Sequence, residues 1–131
     1  MYFNYNSYEA LIETVGKESK VDTKMGEMKA KFVNDCFEGL NEYVKAVDMG
    51  ETQIKLAYAR LDGEELRDTV ECIDRTRRFA HEAAISKTSG LNRMCAMSGI
   101  DPIFNGNTED RYQVADFAME VVQTLFANRT I

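Results

Sequence analysis

Between Val33 and Val47 the apolar residues Val33, Phe37, Leu40, Val44 and Val47 step by four, three, four and three. Only a helix returns to one side at that spacing, so the stretch is committed to an amphipathic helix that faces a core. Met25, Met28, Phe32, Cys36 and Tyr43 widen the stripe. Similar spacing recurs in Tyr8, Leu11, Ile12 and Val15, and again in Ile54, Ala57, Tyr58 and Leu61. It continues in Leu66, Val70, Ile73, Ala80 and Ala84, and then in Val114, Phe117, Ala118, Val121, Val122, Leu125 and Phe126. No stretch alternates apolar and polar residues convincingly, as a half-buried strand would. The expectation is an all-α chain, a single-domain bundle of five or six helices with no sheet, spanning residues 1–131.

Punctuation residues divide these stripes. Asn6 and Glu9 have capping-box spacing, and Gly16 is a natural end for the first helix. Residues 16–22 (GKESKVD) read as a polar connection, with the second helix starting at Asp22 or Thr23. A break is expected near Asp48–Gly50. Asp62 caps the next helix with Glu65 at the capping-box position, while Glu64, Glu65 and Asp68 oppose the helix dipole. That helix should run to about Ile85. The segment Ser86–Gly90 (SKTSG) reads as a break, and Leu91–Met97 as a short helix. Gly99–Asn107 is a loop with turn signals at Asp101–Pro102 and Asn105–Gly106, and Asn107 or Thr108 caps the last helix. Within residues 1–6, Tyr2, Phe3 and Tyr5 form an aromatic arm that either caps its own core or packs on a neighbour.

A chain of 131 residues buries roughly two thirds of its unfolded surface, enough for one core. Its single proline, Pro102, marks no linker. No apolar run approaches the roughly 20 residues that span a bilayer, and MYFNYNSYEA has neither the basic nor the apolar region of a secretory signal. A cytoplasmic location is expected, with no membrane partner. Cys36, Cys72 and Cys95 are odd in number and far apart, which fits reduced thiols rather than a disulfide framework or a zinc site. A net charge of −6 disfavours direct binding of nucleic acid.

The charge is unevenly placed. Residues 75–93 carry five basic side chains (Arg75, Arg77, Arg78, Lys87 and Arg93) against Glu82 alone, a net +4 that leaves −10 on the rest. Arg77 stands where the stripe from Ile73 to Ala80 calls for an apolar residue. It needs a partner, either structural (Asp74 or Glu42) or the phosphate or carboxylate of a ligand. In SKTSGLNR a hydroxyl-rich turn entering a helix offers free N–H groups to an anion, although an ordinary capped turn explains the same residues. The stripe Glu64, Asp68, Glu71, Arg75, Arg78 and Glu82 reads as a solvated face, with Glu71–Arg75 and Arg78–Glu82 pairs, or as a charged partner surface.

Catalytic signals are weak. His81 is the only histidine; it opens HEAAI rather than HExxH, and no nucleophile lies at a telling spacing. Met94, Cys95 and Met97 are soft side chains that more often fill a core than hold a metal. Asn128-Arg-Thr matches a glycosylation sequon that a cytoplasmic chain would not use. No catalytic residue, metal or cofactor is expected.

The segments YVKAV, IKLAYARLDGEELRD and DRTRRFAHEAAIS, between Tyr43 and Arg93, resemble a family of small bacterial proteins classed as a domain of unknown function. The resemblance implies a bacterial, cytosolic, helical protein and no particular activity.

The sequence thus points to a non-enzymatic binding protein that self-associates, as a dimer. Its ligand-binding residues would be Arg75, Arg77, Arg78, His81, Lys87, Thr88, Ser89 and Arg93, with Asp74 orienting, and its partner a small anionic ligand or a protein. Two alternatives remain open at this level: an acidic phage or mobile-element inhibitor of a nucleic-acid-binding protein, and an enzyme using His81 as acid or base.

Overall fold

The computed structural model describes residues 1–127; the sequon at Asn128 lies outside them. Four helices follow in order: α1 (Tyr5–Val21), α2 (Thr23–Arg60), α3 (Gly63–Met97) and α4 (Arg111–Val121), the last continuing as a π-helical stretch, Val122–Phe126. The all-α expectation holds. The count of five or six helices does not, because two expected breaks are absent.

Gly50 lies inside an unbroken α2. A Cβ there would come 2.8 Å from Cδ of Arg77, so this glycine makes room for a neighbouring side chain rather than a turn. Gly39, also on α2, does the same for Lys87 of the facing helix. In α3, Ser86–Gly90 is helix. The Thr88 hydroxyl is fully buried and donates to the Ala84 carbonyl at 2.8 Å, while Gly90 lies under the Phe32 ring. Turn-like composition in these places reflects close approach of α2 and α3, and the packing outweighs the roughly 1 kcal/mol that a helical glycine costs.

The helix ends have clear local causes. Asn4, not Asn6, caps α1, accepting from the Ser7 N–H at 3.2 Å. Helix α1 continues through Gly16 to Val21. Asp22 then serves two helices: its N–H donates to Glu18 O, and its carboxylate accepts from the Met25 N–H at 3.1 Å. Asp62 sits at the expected cap of α3, but its side chain makes no capping bond. Gly99, at φ +70°, stops α3, and the Ile100 N–H returns to Cys95 O at 2.8 Å. Asp110, rather than Asn107 or Thr108, caps α4.

The core lies where α1 and α4 pack on the N-terminal half of α2 and the C-terminal half of α3. Leu11, Leu40, Leu91, Val114 and Phe117 are fully buried there. The loop after α3 enters the core with Ile103 and Phe104, and Asn92 clamps it, accepting from the Phe104 N–H at 3.0 Å and donating to its carbonyl at 3.2 Å. The aromatic arm joins its own subunit: Phe3 forms an isolated antiparallel bridge with Phe104 and meets Phe117 edge-on.

Beyond this core α2 and α3 project as a hairpin arm. From residue 48 to residue 79 only Gly50 and Ala57 are buried. Leu66, Val70 and Ile73, expected to face inward, are half-buried because neither α1 nor α4 reaches them. No described helix is long and apolar enough to cross a membrane.

Candidate functional site

The antiparallel α2–α3 seam places Tyr43 beside His81 where the arm leaves the core. The Tyr43 hydroxyl lies 2.8 Å from His81 Nδ1, with the rings edge-on at 5.0 Å. Burial raises the Tyr43 pKa above its ordinary range, so the hydroxyl stays protonated and can donate to Nδ1 or accept from it. Burial also pushes the His81 pKa down, and the positive charges of Arg111 and Arg77 push it further the same way. His81 is therefore neutral near pH 7, and its tautomer sets which partner of the Tyr43 bond donates.

Arg77 is half-buried, its stem lying across Gly50, and its only ion pair among the described residues is with Asp74 at 3.8 Å, the long limit for such a contact. Glu42 instead approaches Lys45 at 3.7 Å. Arg111, exposed at the start of α4, has no ion pair among the described residues. Three elements thus set the Tyr43–His81 pair within electrostatic reach of Arg77 and Arg111, and among the described residues neither cation has a carboxylate closer than the 3.8 Å of Asp74.

The nine sequence-selected residues divide accordingly. Arg77 and His81 meet in this cluster, with half-buried Asp74 at its edge and exposed Arg78 on the neighbouring surface. Arg75 is exposed, two residues from Arg77 and so about 160° away around the helix. Lys87 lies across Gly39 near Cys36, whose thiol burial pushes up while Lys87 pulls it down. Thr88 is buried, Ser89 is half-buried and Arg93 is exposed. The anion-cradling turn read from SKTSG is instead a helix whose backbone N–H groups are engaged within it. The expected Glu71–Arg75 and Arg78–Glu82 pairs do not form among the described residues; Arg67–Glu64 at 3.5 Å does.

Sequence reading missed Tyr43 and Arg111. Tyr43 sits inside an apolar stripe and reads as core, which it also is, at 4% exposure. Arg111 lies 30 residues from His81, with no pattern linking them. Among the described residues no group of three His, Cys, Asp or Glu side chains is placed to hold a metal ion. All three cysteines are free, Cys36 and Cys95 buried and Cys72 exposed.

A family model described as "Protein of unknown function (DUF3232)" matches residues 5–131. The chain belongs to that family, in keeping with the resemblance seen between Tyr43 and Arg93. No curated protein and no solved structure matches it.

Proposed function

We propose that this member of the DUF3232 family is a non-enzymatic binding protein that receives a phosphate or carboxylate group between Arg77, His81 and Arg111. The observation that carries the reading is the Tyr43–His81 pair at the α2–α3 seam, reached by the charges of Arg111 and Arg77, with no carboxylate among the described residues closer to either arginine than the 3.8 Å of Asp74. An anion there would accept from both arginines and from Nε2–H of His81, and charge-assisted bonds of that kind are roughly twice as strong as neutral ones. In this reading the Tyr43 hydroxyl donates to Nδ1 and so keeps the proton on Nε2, the tautomer this requires. Arg78 extends the positive surface outward. Arg75, Lys87 and Arg93 lie elsewhere on α3 and are assigned no direct role.

A native mass spectrum of gently purified protein, set beside a denatured one, tests the reading. A retained anionic molecule that disappears in an Arg77→Gln, Arg111→Gln variant is the expected outcome. Equal retention by the folded double variant would remove these residues from the site.

A further inference from the structure

The projecting arm has an exposed stripe of its own, on the side of α3 away from His81. Glu65, Asp68, Cys72, Arg75 and Phe79 step by three, four, three and four, and all five are exposed. Cys72 is about half a turn around the helix from His81. Beside the stripe runs a groove of about 500 Å³, lined by Leu56, Ala57, Leu61, Thr69, Cys72 and Ile73. Phe79, at 66% exposure, and Leu56, at 45%, leave apolar surface open to water on this face.

The order of charge along the stripe is self-complementary. Its tip end is acidic, with Glu65 and Asp68, and its base end carries Arg75 and Phe79. Lay a second copy antiparallel on the first, with the two-fold axis at Cys72. Arg75 then falls within about one residue of the partner copy's Asp68, twice by symmetry. Phe79 comes over the tip half of the partner copy's groove, toward its Leu61 and Thr69. Glu82, the next residue on the stripe, falls at the partner copy's α2–α3 turn, which carries both Asp62 and Arg60. A parallel arrangement would instead set acid on acid and base on base.

We infer that the arm is a self-association surface: two copies pair antiparallel through this stripe into a four-helix assembly, with Cys72 beside the axis. Burial of Phe79 in the groove supplies the apolar contact, and the paired Asp68–Arg75 contacts fix the antiparallel register. This surface is separate from the Arg77–His81–Arg111 cluster, and either can fail without the other.

Charge reversal tests the inference through sedimentation of the whole chain. The wild type is expected to sediment as a dimer at micromolar concentration. Asp68→Arg alone and Arg75→Glu alone each place like charges together twice, and each should weaken the dimer about tenfold or more. Mixing the two variants restores opposite charges at both contacts, so a heterodimer should re-form. All the substituted positions are exposed, and unchanged helical circular dichroism shows that each variant is folded. Mild oxidation should cross-link the wild type through Cys72, and Cys72→Ser should not cross-link. A wild type that stays monomeric to about 100 μM, below the affinity of a specific dimer, would overturn the inference and leave the groove to a different protein. Failure of the mixed variants to pair, with the wild type dimeric, would overturn it equally.

Discussion

The hydroxyl of Tyr43 sits 2.8 Å from Nδ1 of His81, joining α2 to α3 at the point where the hairpin leaves the core. The bond orients the imidazole at a point that the Arg111 and Arg77 charges both reach. Tyr43→Phe keeps the buried ring and removes only the hydroxyl. It should cost about 1 kcal/mol in denaturant unfolding, the net worth of one intramolecular hydrogen bond, and should shift the balance of imidazole tautomers in nitrogen-detected NMR.

The same histidine links stability to pH. Its folded pKa is lowered from the usual 6.5 by burial and by the Arg111 and Arg77 charges. Between the folded and unfolded values the unfolded chain binds more protons, so this contribution is complete above 6.5 and is lost as the pH falls toward the folded value. In His81→Gln the slope of stability against pH should be shallower than in the wild type below 6.5. Parallel profiles for the two proteins would contradict the assignment.

Asn92 anchors the loop that plugs the core, bonding both the N–H and the carbonyl of Phe104. Asn92→Ala strands both groups beside a ring that is 1% exposed. Each unsatisfied buried group costs about 1–3 kcal/mol, so a loss of at least ~2 kcal/mol is expected. Hydrogen exchange should accelerate first at residues 103–105, which pair with the N-terminal arm.

Two glycines in helices should respond oppositely to alanine. A Cβ at Gly16 meets nothing within 4 Å, so Gly16→Ala should stabilise by about 0.5–1 kcal/mol through helix propensity alone. At Gly26 the new carbon would meet the backbone of Ser19 on α1, which cannot swing aside as a side chain tip can. Gly26→Ala should destabilise by about 1–3 kcal/mol, the usual cost of overpacking. Thermal midpoints of the pair decide the matter.

Capping separates Asp110 from Asp62. Asp110 accepts from the N–H groups of Tyr112 and Gln113 at 2.9 and 3.3 Å, whereas Asp62 makes no capping bond with its side chain. Asp110→Ala should cost about 1 kcal/mol, and Asp62→Ala distinctly less. Equal losses would mean that Asp62 acts through the helix dipole alone.

Apolar periodicity carried the fold class, because spacing such as Val33–Phe37–Leu40–Val44 has one geometric solution. The start of α2 at Asp22–Thr23 and the α2–α3 turn at Asp62–Gly63 were equally legible. Helix number was not, since Gly50 and Gly90 look like punctuation but serve contacts with Arg77 and Phe32 from the facing helix. Those partners are distant in sequence. The site was half legible for the same reason: the basic run exposed Arg77 and His81, while Arg111 became visible only once α4 had packed against α3.

Because the chain has a single histidine, the titration of its imidazole tests the anion site without ambiguity. We would follow the His81 NMR signals through pH, with and without saturating inorganic phosphate, in the wild type and in the Arg77→Gln, Arg111→Gln variant. A midpoint below 6.5 is expected in the free protein. Phosphate should raise that midpoint, because a bound anion favours the imidazolium, and the double variant should lose the response. A midpoint that phosphate leaves unmoved in the wild type would contradict an anion site at His81.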